Sequence, residues 1–445
     1  MTLQYITVKK LFGELDHQIP IHSDAGLTLL HGPNGVGKTS ILRAIDSLFN
    51  HRFSRLRSMP IQELEVGFSD GDLLRVTWAT VEDPEKISDG SPERREISFE
   101  LHTESGETEG PWTFERVTPR DLEVPLSAIE DIVPNLTRID RAEWFDASTN
   151  RTLDLDDVLY SYNLPWSSGK RQSPSWLIEK LSQNPVYLIE ANRLMVASEA
   201  SGGRSRRVSF PRLTVSLYKD DLAGEIQSRL ADYAEYSQSL DSTFPDRLLS
   251  KRYDKAPVTD EEVRRRYAEQ AEKRRNYVKI GLLDAGDELQ LPKNLDDRAL
   301  GVLDTYLDDI DKKLNKLEDI ANRLELFLDI VNQKFRRVRI EVNKEKGLTA
   351  RARKKPDMEI ALDSLSSGEQ QEIVIAYGLL FREQAGTLVL VDEPELSLHV
   401  SWQLDFIPDL LRIAQVANLD FLAATHSPQI VNDRWDLTVA LSDGV

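Results

Sequence analysis

Apolar and polar residues alternate between positions 61 and 120, in four stretches separated by Gly and Asp turns. The stretches read IQELEVGF, DLLRVTWATV, EISFELHT and WTFERV. A period of two residues turns one face of a strand toward a core, so this region is predicted to be an antiparallel β-meander. The N-terminal segment MTLQYITVKKLFGELD also alternates and carries charge, which predicts a strand and not a signal peptide.

The pattern changes to a helical period in the middle of the chain. From about Leu217 to Phe335 the sequence is highly charged, and its clearest part keeps a 3-4 spacing of apolar residues. These residues are Leu300, Leu303, Leu307, Ile310, Leu314, Leu317, Ala321, Leu324, Leu328 and Val331. The seam predicts a rod of roughly 45–50 Å, with the helix around 264–277 as a candidate antiparallel partner. A short coiled-coil hairpin and an ordinary helical bundle both fit this pattern.

Buried strands alternate with helices near both ends of the chain. The strands end in GLTLLHG, NPVYLIEANRL, TLVLVDEPE and DFLAATHSP. Strands that alternate with helices predict a parallel sheet covered on both faces. We therefore expect one α/β domain built from both chain ends. Its N-terminal lobe would span 1–212 and its C-terminal lobe 341–445, with a helical or short coiled-coil insertion at 213–340.

Composition limits the classes of function. No apolar run approaches the ~20 residues needed to cross a bilayer, so no membrane partner is expected. The chain has no cysteine, which excludes disulfides, zinc–thiolate sites and thiol catalysis and predicts a cytoplasmic location. A net charge of −19 argues against coating DNA through the whole surface. Basic stretches at 203–212, 264–275, 334–339 and 351–356 are either solvated faces or local contacts for nucleic acid or an acidic protein.

A phosphate-binding loop follows the first buried strand. GPNGVGKT, from Gly32 to Thr39, matches GxxxxGK[ST] in full and lies between a strand and a helix. The predicted nucleotide-binding residues are Asn34, Gly35, Val36, Gly37, Lys38, Thr39 and Ser40. In this motif Lys38 reaches the β- and γ-phosphates of ATP, and Thr39 can ligate Mg²⁺.

Two further strands end in chemically useful side chains. TLVLVDEPE places Asp392 and Glu393 at the carboxyl end of a buried strand, where ligands collect in open α/β sheets. We predict Asp392 as a Mg²⁺ partner and Glu393 as the general base that positions the attacking water. ATHSP follows another apolar strand, and its His426 is predicted to contact the γ-phosphate or that water.

LSSGEQQ begins a long helical pattern and adds a second candidate anion site. A Ser hydroxyl, a Gly N–H and a helix N-terminus meet there, at Ser366, Ser367, Gly368 and Glu369. The alternative is a capping turn that touches no ligand.

Along the chain the four motifs occur in the order GPNGVGKT, LSSGEQQ, DEPE and ATHSP. In this order they resemble the ABC-type ATPases, a class that includes transporter nucleotide-binding domains, SMC proteins and OLD-family ATPases. The resemblance implies an α/β P-loop ATPase head with a mixed central sheet and an antiparallel β-meander, and ATP and Mg²⁺ as cofactors. It also implies that Ser366, Ser367, Gly368 and Glu369 act in trans on a nucleotide bound by a second subunit. The self-assembly would be a head-to-head dimer at minimum, with a hexameric trimer of dimers as a larger form.

Finer features resemble the AAA ATPases of bacterial anti-phage systems, such as the ATPase subunits of PARIS and Septu. These features are DEPELSLHVSWQ, IEANRL and the short coiled coil. The resemblance implies a sensor and regulatory scaffold that controls a separately encoded nuclease of TOPRIM or HNH type, with a phage-derived trigger or nucleic acid as a further partner. No nuclease domain is expected in this chain. The alternative is an SMC-like ATPase of DNA maintenance that clamps DNA.

Several positions of the class are less specific here. Gln62, just ahead of the meander, is the candidate Q-loop glutamine and a third metal ligand, and Phe12 is a candidate for stacking on adenine. Arg193 lies either near the phosphates or in a structural salt bridge. His399 and Trp402 form either a contact between subunits or the packing of the next helix.

Overall fold

The computed structural model describes most of the chain, and its description is limited to the following residues: 3–81, 94–115, 125–133, 135–140, 143–146, 151–162, 173–189, 195–198, 210–250, 258–286, 291–292, 294–396 and 400–442. The chain divides into two compact units. The first unit contains Met1–Arg212 and Glu383–Val445, and the second contains Leu213–Arg382. The second unit begins where the predicted insertion begins, but it also includes the predicted signature turn. The sequence-based boundary at 340 stays a prediction.

The strands, in chain order, are β1 (Leu3–Leu11), β2 (Leu15–Pro20), β3 (Leu27–His31), β4 (Glu63–Phe68), β5 (Leu73–Val81), β6 (Arg94–His102), β7 (Thr108–Thr113), β8 (Leu136–Asp140), β9 (Glu143–Asp146), β10 (Arg151–Asp154), β11 (Val186–Ile189), β12 (Met195–Ser198), β13 (Phe210–Leu213), β14 (Val338–Asn343), β15 (Gly347–Ala352), β16 (Lys355–Ile360), β17 (Leu388–Asp392), β18 (Asp420–Thr425) and β19 (Thr438–Ala440). The helices are α1 (Lys38–Phe49), α2 (Phe53–Arg57), α3 (Ile129–Ile132), α4 (Leu155–Ser161), α5 (Ser175–Ser182), α6 (Thr214–Ser250), α7 (Asp260–Lys279), α8 (Asp297–Asn315), α9 (Glu318–Lys334), α10 (Ser367–Tyr377), α11 (Val400–Ala417) and α12 (Pro428–Val431).

A parallel sheet of five strands forms the centre of the first unit, in the order β11-β17-β18-β3-β19. Strands β3, β17 and β18 are buried almost throughout, as their continuous apolar sequences require in a sheet covered on both faces. Because the strands are parallel, the carboxyl ends of β3, β17 and β18 lie at one edge. The three predicted catalytic segments therefore meet there.

A separate antiparallel sheet carries the predicted meander, in the order β2-β1-β4-β5-β6-β7. One apolar cluster joins this sheet, the parallel sheet and helix α1, which is why α1 is buried along most of its length. The predicted α/β P-loop ATPase head with inserted helices is confirmed. The antiparallel strands form a sheet of their own and do not join a single mixed one.

The predicted continuous rod is wrong. Helix α8 ends at Asn315 and α9 begins at Glu318, and at Lys316 and Leu317 the backbone bonds change from the α-helical spacing to bonds with residues three positions back. The apolar seam continues across the break, and Leu314 and Leu317 are both buried. The two helices bury their seams against different neighbours, because α8 packs on α6 and α7 whereas α9 packs on α10 and β14. Each helix is about 25–29 Å long at 1.5 Å per residue.

The direction predicted for the partner helix is also wrong. Ion pairs join α8 to α6 at Arg247–Asp309 and Asp241–Lys313, and to α7 at Arg266–Asp304 and Lys273–Glu318, the last just past the end of α8. In the ion pairs with α6, the residue numbers fall along α6 as they rise along α8, so α6 is the antiparallel partner. In the pairs with α7, the residue numbers rise along both helices, so α7 runs parallel to α8. Three helices pack here as a bundle. In the described part of the chain, no helix is long and apolar enough to cross a membrane.

Candidate nucleotide site

The phosphate loop connects β3 to α1 through two glycines with left-handed backbones. Gly35 and Gly37 each have φ +91, a conformation that side chains other than Gly rarely adopt. A Cβ atom on Gly37 would also lie 2.2 Å from Cδ2 of Leu11. A Cβ on Gly35 would meet nothing within 4 Å, so this side of the loop is open. The open backbone, followed at once by a helix N-terminus, fits the phosphate groups of a nucleotide.

Lys38 is the first residue of α1 and is folded over its own loop. Its Nζ donates to the backbone oxygens of Gly32 and Pro33, each at 2.8 Å. Only 4% of the residue is exposed. Burial lowers the pKa of Lys38, and the nearby carboxylates, Glu393 foremost, oppose that shift. The ammonium group therefore lies between the phosphate loop and a group of acids.

Thr39 and Asp392 meet as the sequence predicts for a magnesium site. Thr39 Oγ1 donates to Asp392 Oδ1 at 3.0 Å, although the two residues are far apart in sequence. Burial raises the pKa of Asp392, and the hydrogen bond from Thr39 opposes the rise. A hydroxyl and a carboxylate are oxygen ligands of the kind that Mg²⁺ prefers. Within the described residues, no group of three or more His, Asp or Glu side chains is placed to hold a metal ion.

Glu393 has an unusual backbone that directs its side chain. Its φ is +45, which costs energy for a residue with a side chain and is typical of functional positions. Its N–H donates to the backbone oxygen of Ala424 at 2.9 Å, which ties the end of β17 to β18. Its Oε1 lies 3.8 Å from Nε2 of His426. The predicted base and the predicted histidine are therefore neighbours.

His426 connects Lys38 to Glu393. Its Nδ1 lies 3.2 Å from Nζ of Lys38. A charged lysine has only N–H donors, so Nδ1 must accept and the ring proton is assigned to Nε2, which faces Glu393. In this arrangement the two ring nitrogens of His426 face Lys38 and Glu393.

Sequence reasoning missed two residues that shape this site, Glu395 and His17. Glu395 accepts hydrogen bonds from the backbone N–H of His426 at 2.8 Å and from Thr425 Oγ1 at 3.0 Å. His17 on β2 is buried, and its Nε2 lies 2.9 Å from the backbone oxygen of Val36. The acid of PELS, two residues after Glu393, is a signal that could have identified Glu395. Nothing in the sequence near His17 points to the phosphate loop.

The two candidates Phe12 and Gln62 both line a pocket beside the phosphate loop. Phe12, Gln62 and Trp78 line a cavity of about 590 Å³ together with Lys10, Gly13, Pro60 and Ile61. The Phe12 side chain is half-exposed, and its Cε2 lies 3.4 Å from the position of a Cβ on Gly37. The cavity volume suits a small organic ligand. Among the described residues, no hydrogen bond joins Gln62 to Thr39 or Asp392, so its predicted role as a metal ligand stays a prediction.

The signature turn lies in the second unit, and its Ser366 and Glu369 bond to each other. Ser366 is the N-cap of α10, and its hydroxyl and N–H both donate to Glu369 Oε2, at 2.7 and 3.0 Å. The Glu369 N–H donates back to Ser366 Oγ at 3.4 Å, which completes a capping box. Buried Gln370, which sequence reasoning also missed, donates to the backbone oxygens of Asp363 and Leu365 and fixes the turn. Ser366 and Ser367 are exposed, and Gly368 is half-buried.

The remaining predicted positions are distributed as follows. Asn34 is exposed, Val36 is fully buried and Ser40 is half-buried on α1. Trp402 lies half-buried on α11. Arg193 and His399 lie outside the described residues.

Comparisons with known proteins bear on the class of this protein. The family model described as "AAA domain, putative AbiEii toxin, Type IV TA system" matches residues 219–432, and a second model, "AAA domain", matches residues 10–153. The second range contains the phosphate loop, and the first contains the signature turn, the paired acids and His426. Together with the geometry, these matches support a P-loop ATPase of the AAA type.

Similar curated and solved proteins were also found. The Molybdenum import ATP-binding protein ModC of Salmonella typhimurium and that of Salmonella typhi are each 36% identical over 81 residues, which is 18% of this chain. The chain spans only about a fifth (22%) of the length of these relatives. The Smc head domain from Pyrococcus furiosus bound to the C-terminal domain of ScpA aligns at TM-score 0.33 and 13% identity, covering 100% of this chain and 94% of that one. The SMC head domain from Thermotoga maritima aligns at TM-score 0.33 and 12% identity, covering 100% and 97%.

Proposed function

We propose that the chain hydrolyses ATP with Mg²⁺ at the edge of the parallel sheet, in sites completed by a second subunit. The observation that carries this proposal is the meeting of Lys38, Thr39, Asp392, Glu393 and His426 from three separate loops. A magnesium–nucleotide complex supplies the phosphoanhydride to be cleaved and spreads its charge. All other steps below belong to side chains of this protein.

Each of these side chains has a role that follows from its contacts. Lys38 exchanges its two carbonyl partners for phosphate oxygens, because a charged acceptor binds an ammonium group more strongly than a neutral one. Thr39 and Asp392 would hold the Mg²⁺ ion. Glu393 accepts the proton of the attacking water as general base. His426 contacts both Glu393 and Lys38 and keeps them in their relative positions.

The pocket beside the loop is the proposed position of the adenine base. Phe12 borders both the cavity and Gly37, so a base stacked on its ring would continue directly from phosphates on the loop. Gln62 and Lys10 supply polar groups at the same pocket. Aromatic stacking of this kind contributes about 1–3 kcal/mol per base.

The signature turn is the proposed trans element. Its capping box leaves an exposed helix N-terminus whose backbone N–H groups and partial positive charge favour an anion. The ordering of the motifs, which resembles the ABC-type ATPases, supports contact with a neighbour's nucleotide. A head-to-head dimer is then the smallest active assembly, and a trimer of dimers is the larger form.

A mixing experiment tests the composite site. Lys38→Ala subunits and Ser366→Arg subunits each lack one half of every site in their own homodimers. A mixture contains heterodimers with one intact site, so ATPase activity should recover to a fraction of the wild-type rate. Subunits that carry both substitutions are the matched control and should rescue neither parent. Activity no higher than that of either parent would contradict sites built between subunits.

The cellular role proposed is regulation of a separate nuclease in an anti-phage system. The support is the resemblance of DEPELSLHVSWQ to defence ATPases, and a matched family model whose description names a TA system. The role predicts a nuclease gene of TOPRIM or HNH type directly beside this one. A gene surrounded by DNA-repair functions would favour the alternative.

The alternative, an SMC-like ATPase that clamps DNA, has one specific observation in its favour. Two of the basic stretches lie on adjacent antiparallel strands of the second unit, where Arg339 of β14 is directly opposite Arg351 of β15. Like charges in this position repel each other, and Glu341, at 4.0 Å from Arg339 and 3.1 Å from Arg351, reduces the repulsion. Glu359 of β16 also lies opposite Arg351 in the sheet. Two opposed arginines on a sheet face suit a phosphate backbone.

A further inference from the structure

We propose that Glu395 is a positioning residue that holds His426 against Lys38 and Glu393. The proposal rests on the proposed ATPase function for its catalytic consequence. Its structural core, the contact between two loops, is independent of that function. Glu395 lies in a short 3-10 turn, Pro394–Leu396, directly after the paired acids.

One carboxylate fixes the loop that carries His426. Glu395 Oε1 accepts from the His426 N–H at 2.8 Å, and Oε2 accepts from Thr425 Oγ1 at 3.0 Å. The same Thr425 hydroxyl accepts from the N–H of Ser427 at 3.0 Å. Thr425 ends β18 and is fully buried, so its hydroxyl is an anchored donor. Glu395 therefore holds Thr425 and His426 directly, and it holds Ser427 through the Thr425 hydroxyl.

The two donors explain why a carboxylate is needed. Both partners of Glu395 are donors, and an ionised carboxylate has two acceptor oxygens and no proton. A glutamine would present an amino group to one donor and would therefore lose or reverse one contact. Charge-assisted bonds of this kind are about twice as strong as neutral ones.

Glu395 does not have the geometry of a catalytic base. Both of its oxygens are occupied by donors from the protein, whereas Glu393 directs an oxygen toward His426 at 3.8 Å. Its effect on the reaction must pass through His426, whose Nδ1 contacts Lys38 at 3.2 Å.

A helix fixes Glu395 in turn. Gln403 on α11 is 8% exposed, and its Nε2 donates to the backbone oxygen of Glu395 at 3.3 Å. The N–H of Glu393 also bonds to Ala424, so the two loops are joined at a second point. The sequence of contacts runs from α11 through Gln403 and Glu395 to His426. A shift of α11 would therefore move Glu395 and, through it, His426.

Kinetics in two backgrounds test the positioning role. Glu395→Ala should lower kcat for ATP hydrolysis by about 10- to 100-fold, because small misplacements of supporting groups have effects of this size. ATP affinity should stay within about twofold, and Glu395→Gln should lie between the wild type and Glu395→Ala. In a His426→Ala background, Glu395→Ala should change kcat by less than about twofold. An equal loss in both backgrounds, or an unchanged kcat, would overturn the proposal.

Hydrogen exchange without nucleotide tests the contact apart from catalysis. Glu395→Ala should speed exchange of the His426 and Ser427 amides, whereas Glu235→Ala, at an exposed position on α6, should leave it unchanged. Unchanged exchange at His426 would overturn the contact. A wild-type protein that does not hydrolyse ATP would refute the proposed function alone, and the exchange result would still decide the contact.

Discussion

The phosphate loop and the signature turn each lead into a helix, but their polar groups find partners in different ways. The groups around Lys38 take partners from three loops that are far apart in sequence, including His426. Ser366 takes its partner from Glu369, three residues away. The first site is assembled by the tertiary fold, and the second is complete as a local motif.

Because of this difference, the two regions depend on the rest of the protein in different ways. A site that draws its groups from β3, β17 and β18 loses function when any one loop moves, because the groups act together. A capping box keeps its geometry as long as α10 exists, and its exposed N-terminus is available to a ligand from outside. The comparison therefore predicts large catalytic effects at the first region. Small effects on stability are expected at the second.

The largest effect is expected from Glu393→Gln, which tests whether the assembled site and the exposed turn cooperate. The amide cannot accept a proton, so hydrolysis should fall by about 10²- to 10⁴-fold, while the phosphate loop still binds ATP. ATP should then accumulate in a dimer or larger assembly, measurable by light scattering. Glu235→Gln on exposed α6 is the control and should behave as wild type. A Glu393→Gln protein that stays monomeric with ATP would break the link between the two regions.

An intermediate effect is expected from Phe12→Ala at the edge of the assembled site. Loss of stacking should weaken ATP binding by roughly 1–3 kcal/mol, about 5- to 150-fold. Binding of inorganic triphosphate, which has no base, should change little. Titration of both ligands by calorimetry measures the difference. Equal losses for both would mean that Phe12 supports the loop beside Gly37 and does not contact the base.

The smallest effect is expected from Ser366→Ala, which tests the local nature of the signature turn. Loss of the N-cap should lower the free energy of unfolding by about 1 kcal/mol in the absence of nucleotide. Ser366→Asn should restore most of this loss, because Asn is an equally good N-cap. Chemical denaturation measures both variants. If Ser366→Asn lowered the free energy of unfolding as much as Ser366→Ala, the serine would contribute through something other than the capping box.

Local sequence patterns predicted the elements of this protein well where one physical rule dominates. Alternation over 61–120 predicted the antiparallel strands, because a half-covered sheet needs a period of two. GPNGVGKT predicted its loop, because only glycine tolerates φ +91 at Gly35 and Gly37. The helical seam predicted helices but not their break between α8 and α9. Apolar spacing reports which face is buried and not which neighbour buries it.

Local residue patterns were enough to predict the phosphate loop, the strand that ends in Asp392, the strand that precedes His426 and the helix that starts at Ser366, because each depends on residues close in the chain. Only the tertiary structure decided that Glu395 holds the His426 loop, that His17 contacts Val36, and that Phe12 and Gln62 share one pocket. It also decided that α7 runs parallel to α8. Contacts between distant segments depend on strand order and helix packing, which side-chain patterns along one chain do not encode.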